Sequence, residues 1–323
     1  MSTAISTRPQ RRGRSRDPAD EDRARWPGWC CSYCAAPLQE DAHGLICARE
    51  GRWFATQQGV HRLLTQERRR ELQPALEAYQ RVRREEGWQG ERGLPDVPAD
   101  HPHAAIWRRR ARHFARARSL ARKRLGRGPW RVLDVGAGCG WASARLLADG
   151  HRVAAVDVNL DEQDGLLAAR ALIDDPSQLP RAEADMEALP LEPASMDLVL
   201  AAGVLHHAAR PARTLLEMRR VTRRGGLVAV LDSPVYRRAV DGETMVAERA
   251  EEHARRYGFA AVPFGQGYLR WSELPALFEG AGWRLAVHGW PGRAREITRD
   301  LVEIARWGRR TARFPILIGR RDG

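Results

Sequence analysis

The stretch Arg131-Val132-Leu133-Asp134-Val135-Gly136-Ala137-Gly138-Cys139-Gly140 decides the fold, because it joins a buried strand to a glycine-rich turn. A mostly apolar run of strand length leads into three glycines at every second position. Glycine is needed where the backbone takes a positive φ or where a ligand lies against bare backbone. A helix predicted at residues 141–147 would aim its unpaired N–H groups and positive dipole end at this turn. The stretch therefore predicts a nucleotide-type site.

The spacing of the glycines excludes two common nucleotide sites. A dinucleotide fingerprint of the form G-x-G-x-x-G, counted from Gly136, would need its third glycine at the position of Trp141. A phosphate-binding loop would need a Lys-Ser/Thr pair, which this turn does not have. The pattern that remains is D-x-G-x-G-x-G, and by itself it also suits a plain tight turn between a strand and a helix.

Acidic residues end the next two predicted strands. Asp157 ends the strand that begins at Arg152, and Asp185 ends a weaker strand that begins at Arg181. Ligands of open α/β sheets lie at the carboxyl ends of the strands, so we expect both carboxylates in one crevice with the glycine turn. A carboxylate in such a crevice can accept hydrogen bonds from both hydroxyls of a ribose. The alternatives are a helix N-cap for Asp157 and an exposed turn for Asp185.

Strands and helices alternate from Arg131 onward, which predicts a parallel α/β sheet. The later predicted elements are a fourth and a fifth strand, four helices after the second strand, and a closing antiparallel pair of strands. The strands lie at residues 197–202, 227–232, 283–288 and 315–319, and the helices at residues 160–173, 211–221, 271–280 and 293–307.

The pattern D-x-G-x-G-x-G resembles the first motif of class I S-adenosylmethionine-dependent methyltransferases of the type 11-like group. The segments at 153–159, 184–190, 197–207 and 220–230 resemble the later motifs of that family in order and spacing. The resemblance is close over about residues 130–235 and weaker on both sides. It implies a Rossmann-like, seven-stranded, mostly parallel sheet with helices on both faces, and S-adenosyl-L-methionine as the cofactor.

The same resemblance assigns roles to individual residues. Asp157 would bind the ribose, Asp185 would accept a hydrogen bond from the adenine amino group, and Met186 would offer its backbone N–H and an apolar contact. Ala202, with Gly203, would lie under the methionine tail of the cofactor. The remaining predicted cofactor-binding residues line the turn or follow the second strand: Asp134, Gly136, Ala137, Gly138, Gly140 and Val158.

His206 and His207 follow the fourth strand, at the mouth where a methyl acceptor has to lie. A neutral imidazole with an ordinary pKa near 6.5 suits the removal of a proton from an acceptor. Either histidine could instead pack or cap the next helix. The residues that follow the fifth strand, from Asp232 to Tyr236, are a second candidate rim of the site.

Four of the five cysteines lie within residues 26–65. Cys31 and Cys34 are separated by two residues, as in zinc-binding turns, and Cys47 follows after a gap of twelve residues. The segment resembles the zinc-ribbon-like N-terminal domain of certain bacterial methyltransferases, including rRNA guanine methyltransferases. In those proteins the fourth ligand is a Cys or a His just after the third, whereas here Glu50 and Gly51 occupy that place.

Three thiolates therefore remain as predicted zinc ligands. Glu50, Cys30 and His43 are the candidates for a fourth ligand, although structural zinc sites are almost always completed by Cys or His. The alternative is a ribbon without metal that is held by its small apolar core. A disulfide is disfavoured in a reducing cytoplasm.

The chain divides into four predicted parts. Residues 1–25 are a basic tail rich in Arg, Pro and Asp that we expect to be disordered, residues 26–65 are the ribbon, and residues 66–130 are a helical connector or cap. Residues 131–323 are the methyltransferase-like domain, with a lid or acceptor-binding insertion at 236–270. In many class I methyltransferases, helices placed like the connector close over the cofactor.

The formal net charge of +13 is concentrated in the front of the chain. Residues 1–130 hold 27 Lys and Arg against 15 Asp and Glu, while the rest hold 27 against 26. A basic front suits a module that contacts nucleic acid. A general preference for arginine is the simpler explanation, because Lys123 is the only lysine.

We expect a cytoplasmic protein without a membrane segment, because no apolar run approaches the roughly 18 residues that a span requires. The leading prediction is methyl transfer to a small-molecule acceptor. The first alternative is methylation of an RNA base with the help of the basic front, and the second is a methyltransferase-like domain that only binds a partner.

Overall fold

The computed structural model describes residues 26–259, 263–290 and 293–322. The tail predicted at residues 1–25 lies outside the described residues. Among the helices of the described part, none combines the length and the apolar content that a bilayer crossing requires.

The ribbon is a four-stranded antiparallel meander. Its strands are β1 (Gln39–Asp41), β2 (Gly44–Cys47), β3 (Arg52–Gln57) and β4 (Val60–Arg62). Leu45 and Phe54 lie opposite each other on β2 and β3 and are both buried, so they form the core of this small module.

Seven further strands follow along the chain: β5 (Arg131–Val135), β6 (Arg152–Asp157), β7 (Arg181–Glu183), β8 (Met196–Ala202), β9 (Thr222–Leu231), β12 (Arg284–His288) and β13 (Ile316–Arg320). They pair in the order β7-β6-β5-β8-β9-β13-β12. All neighbours from β7 to β9 are parallel, and β13 is antiparallel to both of its neighbours. The Rossmann-like, mostly parallel sheet predicted from the sequence is therefore confirmed.

The predicted number of strands was wrong, because the ribbon continues the same sheet. β4 pairs in parallel with β7, with Val60 opposite Arg181 and Arg62 opposite Glu183, so the complete sheet has 11 strands. An uncovered β7 would present a row of unpaired N–H and C=O groups at the edge of the sheet. The ribbon covers this edge.

In the described part of the chain, seven α-helices accompany the strands: α1 (Gln66–Glu85), α2 (Ala104–Leu125), α3 (Trp141–Ala148), α4 (Pro211–Val221), α5 (Ala239–Tyr257), α6 (Leu274–Gly280) and α7 (Arg293–Trp307). The first two belong to the predicted connector. Thr65 caps α1, accepting a hydrogen bond from Arg68 N at 3.2 Å, and Pro74 lies inside the helix without ending it.

Two segments differ from the sequence expectation. Residues 160–173 were predicted as a helix but form turns and a short 3₁₀ helix at Ala168–Ala171. The side chains of Asn159 and Asp161 accept hydrogen bonds from backbone N–H groups of residues 161, 163 and 164, and such local bonds compete with a helix. The sequence pattern predicts no helix or strand between Ser233 and Arg270, yet this stretch contains α5 and a two-stranded parallel pair, β10 (Val235–Tyr236) with β11 (Leu269–Arg270).

Arginines of the front of the chain bind carboxylates at the carboxyl ends of β6 and β7 and in the loop after β6. The pairs are Arg62–Glu183, Arg68–Asp185, Arg69–Glu183, Arg83–Asp164 and Arg84–Asp161, at 2.5–2.7 Å. Most of these carboxylates are nearly buried, with Glu183 only 3% exposed. Many arginines of the connector therefore pair with carboxylates of the same molecule. These ion pairs hold α1 across the ends of the strands.

Candidate active site

A cavity lies where the carboxyl ends of β5, β6 and β8 meet the inner face of α1. It contains about 1060 Å³ of empty space, counted out to its open mouth. Most residues that the sequence analysis assigned to the cofactor line it: Gly136, Ala137, Gly138, Asp157, Val158, Asp185, Met186 and Ala202. The structure therefore brings together residues that are separated by up to 66 positions in the sequence.

The glycine turn and Asp157 form one hydrogen-bonded unit. Gly138 takes a φ of +53° and donates its N–H to Asp157 Oδ2 at 2.8 Å, while Asn159 N donates to Oδ1 at 2.8 Å. Gly136 cannot carry a side chain, because a Cβ would lie 2.3 Å from Val204 Cγ2. Burial raises the pKa of Asp157 to about 6, against the effect of these backbone donors.

Asp185 lines the cavity but is engaged by α1. Arg68 Nε donates to Asp185 Oδ2 at 2.6 Å, and the other carboxylate oxygen accepts from Glu187 N at 2.9 Å. Arg68 itself also lines the cavity. The carboxylate predicted for the adenine amino group is therefore shared with an arginine that the sequence analysis did not single out.

Two predicted cofactor residues lie behind the cavity wall and do not line it. Asp134 is buried, and its Oδ2 accepts a hydrogen bond from Ser143 Oγ at 2.7 Å. Burial raises the pKa of Asp134 to about 7. Gly140 begins α3 with a φ of +77°, and a Cβ there would lie 2.9 Å from Ala169 Cβ. Both residues shape the turn from outside the cavity.

The two predicted catalytic histidines have different surroundings. His207 lines the cavity, whereas His206 is buried behind it and its Nδ1 lies 3.3 Å from Ser233 Oγ. Burial, with Arg249 and Arg83 nearby, lowers the pKa of His207 to about 4. His207 is thus a neutral imidazole at neutral pH and a weak base.

Two aromatic residues that the sequence analysis missed accompany His207. The rings of Tyr79 on α1, His207 and Phe264 lie about 6 Å from one another, at centroid distances of 6.2, 5.9 and 6.1 Å. Burial raises the pKa of Tyr79 to about 12, so its hydroxyl keeps its proton. A spacing of three or four residues along α1 could have revealed the face that lines the cavity: Arg68, Leu72, Leu76, Tyr79 and Arg83.

Arg110 on α2 also lines the cavity, and the sequence analysis did not identify it. Its guanidinium lines the cavity, lies 4.7 Å from the ring centroid of Trp107, and reaches close to Gly203. No carboxylate of the described residues forms an ion pair with it. Burial lowers its pKa, although the residue remains a cation. An anionic group of a ligand would complete this site.

The predicted metal ligands also come together. The sulfur atoms of Cys31, Cys34 and Cys47 all lie within 4.8 Å of one another, and those of Cys34 and Cys47 are 3.6 Å apart. Within the described part of the chain, no other Cys, His, Asp or Glu joins this group. Of the three candidates for a fourth ligand, Glu50 pairs with Arg52 at 3.3 Å. Three thiolates suit Zn²⁺, and the site is one protein ligand short of a closed structural site.

Comparison with known proteins identifies the class. Residues 133–230 match the family model described as a methyltransferase domain. This segment of the chain is therefore a methyltransferase domain by sequence, in agreement with the resemblance that begins at the motif D-x-G-x-G-x-G. A protein of Galdieria sulphuraria provisionally named a sarcosine dimethylglycine methyltransferase shares the fold, with a TM-score of 0.50 and 14% identity over 76% of this chain and 98% of that chain.

Curated relatives match only part of their length. An uncharacterized methyltransferase of Mycobacterium ulcerans is 35% identical over 159 residues, which cover 44% of this chain and 60% of that protein. A malonyl-[acyl-carrier protein] O-methyltransferase of Erwinia pyrifoliae is 39% identical over 98 residues, which cover 30% of this chain and 35% of that protein. The chain thus spans about three fifths or less of the curated relatives that it matches.

The buried Asp134 carboxyl should make stability depend on pH. Its folded pKa of about 7 lies above the unfolded value of 3.8, so the free energy of unfolding should fall as pH rises from about 4 to about 7. Asp134→Asn removes this titration and keeps an acceptor for Ser143 Oγ. In cofactor-free protein it should raise the free energy of unfolding by up to about 4 kcal/mol at pH 8, and little at pH 4.

Urea unfolding of the parent chain and the Asp134→Asn variant at both pH values measures this difference. The matched control is Asp174→Asn, because Asp174 is an exposed carboxyl. The control should change the free energy of unfolding by the same small amount at both pH values. An Asp134→Asn effect that is equal at pH 4 and pH 8 would show that Asp134 ionises normally in the folded protein.

Proposed function

We propose that this chain binds S-adenosyl-L-methionine in the cavity and transfers its methyl group to a small-molecule acceptor. The observation that carries the proposal is the composition of the cavity. The same cavity is lined by the glycine turn with Asp157 and Asp185, and by the rings of Tyr79, His207 and Phe264. A cofactor held by the first group would leave the aromatic rings available to an acceptor.

In the proposed complex, Asp157 binds the ribose hydroxyls, and Asp185 with Met186 binds the adenine. Each Asp157 oxygen already accepts one backbone N–H, which fixes the carboxylate and leaves further lone pairs for the ribose. Ala202 and Gly203 support the methionine end, and Arg110 binds its carboxylate. The Arg110 guanidinium forms no ion pair within the described chain, and the methionine carboxylate would be its anionic partner.

The chain's own residues mainly position the acceptor. S-adenosyl-L-methionine supplies an electrophilic methyl group on a sulfonium, so the reaction needs the acceptor atom to be held in line with it. The neutral His207 imidazole and the protonated Tyr79 hydroxyl can each hydrogen-bond an acceptor. Because the His207 pKa is about 4, this residue orients the acceptor and takes up a proton only weakly.

The position of α1 favours a small acceptor over RNA. Arg68, Arg69, Arg83 and Arg84 tie this helix to the sheet, so it covers the cavity and these four arginines are paired with protein carboxylates. A basic patch for RNA would need these cations to be free for phosphate contacts. The experiments below also test the two alternatives, which are RNA methylation and a domain that only binds a partner.

We further propose that Cys31, Cys34 and Cys47 hold one Zn²⁺ that stabilises the ribbon, with Glu50 or a water molecule as the fourth ligand. The purified chain should contain about one zinc per molecule, and Cys47→Ser should lose it. Cys30→Ser is the matched control, because the Cys30 sulfur lies outside the cluster and should leave the zinc content unchanged. Metal analysis that finds no zinc after reconstitution would refute this site.

Cofactor binding tests the central proposal. Asp157→Ala should reduce the affinity for S-adenosylhomocysteine by about 100-fold or more, because it removes charge-assisted hydrogen bonds to the ribose. Asp157→Asn should retain part of the affinity. Calorimetry on the folded variants measures the change, with Asp174→Ala as the exposed-carboxylate control. An unchanged affinity in Asp157→Ala would contradict the assignment of the cavity.

Labelled cofactor tests the acceptor class. Incubation of the chain with S-adenosyl-L-methionine labelled in its methyl group should transfer label to a low-molecular-weight fraction of a cell extract, and ribonuclease should not remove it. Tyr79→Phe should slow transfer about tenfold at unchanged cofactor affinity, because it removes a hydrogen bond to the acceptor. Tyr33→Phe, at an exposed tyrosine of the ribbon, is the control.

Two outcomes would contradict the proposed acceptor. Label that is recovered in RNA and lost on ribonuclease treatment would assign the reaction to RNA. Cofactor binding without transfer to any fraction would support the alternative of a methyltransferase-like binding domain.

A further inference from the structure

A second concave surface lies on the other face of α2. Trp107 and Arg110 face the cofactor cavity, whereas Arg109, Arg112 and His113 line this second surface. We call it the arginine crevice. It contains about 1140 Å³ of empty space, counted out to its open mouth, and the remaining residues that line it come from later segments: Tyr236, Gly289, Arg299, Arg309, Thr311, Ala312, Arg313 and Phe314.

The lining of the arginine crevice is cationic. Among the described residues, five arginines and one histidine line it, and no Asp or Glu does. These residues come from α2, from α7 and from the segment between α7 and β13, so the positive groups approach from several directions. Carboxylates of the described chain pair with four of the five arginines, so the unneutralised charge of the lining is that of Arg112.

Carboxylates behind the wall hold the cations in place. Asp232 is 3% exposed along its side chain, and its Oδ1 accepts from Arg109 at 3.2 Å and from His113 Nδ1 at 3.0 Å. Glu303 binds Arg299 at 2.6 Å and Arg313 at 3.0 Å. Arg313 is itself 6% exposed. The positions of the guanidinium groups are therefore fixed before any ligand arrives, which lowers the entropy cost of binding.

Arg112 differs from the other arginines of the crevice. It has no ion pair or hydrogen bond with any of the described residues, so its five N–H donors remain available. The planar face of Phe314 lies 3.9 Å from the Arg109 guanidinium, and Tyr236 adds a second aromatic wall. A ligand with an anionic group and a less polar remainder would contact both kinds of surface.

We propose that the arginine crevice binds a phosphate-bearing small molecule. A phosphate monoester carries a charge near −2 and three strong acceptor oxygens, which suits the free Arg112 guanidinium together with N–H donors that the paired arginines still offer. The crevice shares no lining residue with the cofactor cavity. This site is therefore additional to the proposed methyl-transfer site.

Titration of the full-length chain with inorganic pyrophosphate at low ionic strength tests the crevice. Calorimetry should show saturable binding to one site. Arg112→Gln should weaken this binding about tenfold, because it removes a charge-assisted contact. Arg108→Gln, on the same helix but outside the crevice, is the matched control and should change the affinity by less than about twofold.

Both variants should keep the affinity of the parent chain for S-adenosylhomocysteine, which shows that they are folded and separates this test from that of the proposed function. Absence of saturable pyrophosphate binding would overturn the proposal, and so would equal effects of Arg112→Gln and Arg108→Gln. An oligoribonucleotide that binds where pyrophosphate does not, with loss of binding in Arg112→Gln, would assign the crevice to nucleic acid and overturn the small ligand.

Discussion

Ion pairs between the arginines of α1 and the carboxylates at the strand ends are the interaction on which the site depends. Glu183 is shared by Arg62 and Arg69, and Arg83 binds Asp164. The carboxylates are nearly buried, so the loss of an arginine would leave a buried charge without a partner. The same pairs place the apolar face of α1 over the glycine turn. The cavity exists because this helix is held there.

The ribbon determines where α1 begins. β4 adds to the sheet beside β7, and Thr65 caps α1 only three residues after β4 ends. The sheet pairing fixes the start of the helix, and the ion pairs at Arg83 and Arg84 fix its end. The N-terminal module is therefore part of the architecture of the site, whether or not its three cysteines bind metal. The strand β2, which ends at Cys47, and the strands that border the cavity belong to one continuous sheet.

Burial of polar groups gives the cavity its chemical character. The pKa values of Asp134 and Asp157 are raised to about 7 and about 6, and that of His207 is lowered to about 4, in each case mainly because burial disfavours the charged form. These shifts carry a cost in stability, as is common at functional sites. The arginine crevice on the other face of α2 has the opposite character, since its lining is charged and faces an open mouth.

The sequence by itself determined the methyltransferase domain and most of the residues that line the cavity around the glycine turn. The motif D-x-G-x-G-x-G, the alternation of strands and helices, and acidic residues at successive strand ends are local patterns, and parallel strands bring their ends to one edge. The convergence of Cys31, Cys34 and Cys47 followed from their spacing in the same way. The prediction of a helix at residues 160–173 failed because the side-chain oxygens of Asn159 and Asp161 accept local backbone hydrogen bonds that compete with the helix.

Only the tertiary structure decided which side chains line the rest of the cavity and how many strands of the described chain form the sheet. Tyr79, Arg110 and Phe264 meet around the cavity from three distant segments, and no local pattern relates them. The choice between His206 and His207 depended on which ring faces the cavity and which faces Ser233. The pairing of β4 with β7 joins the ribbon to the sheet. An edge strand exposes unpaired N–H and C=O groups, and the strand that pairs with them can come from any part of the chain. Contacts of this kind depend on packing between distant elements, which periodicity and spacing do not encode.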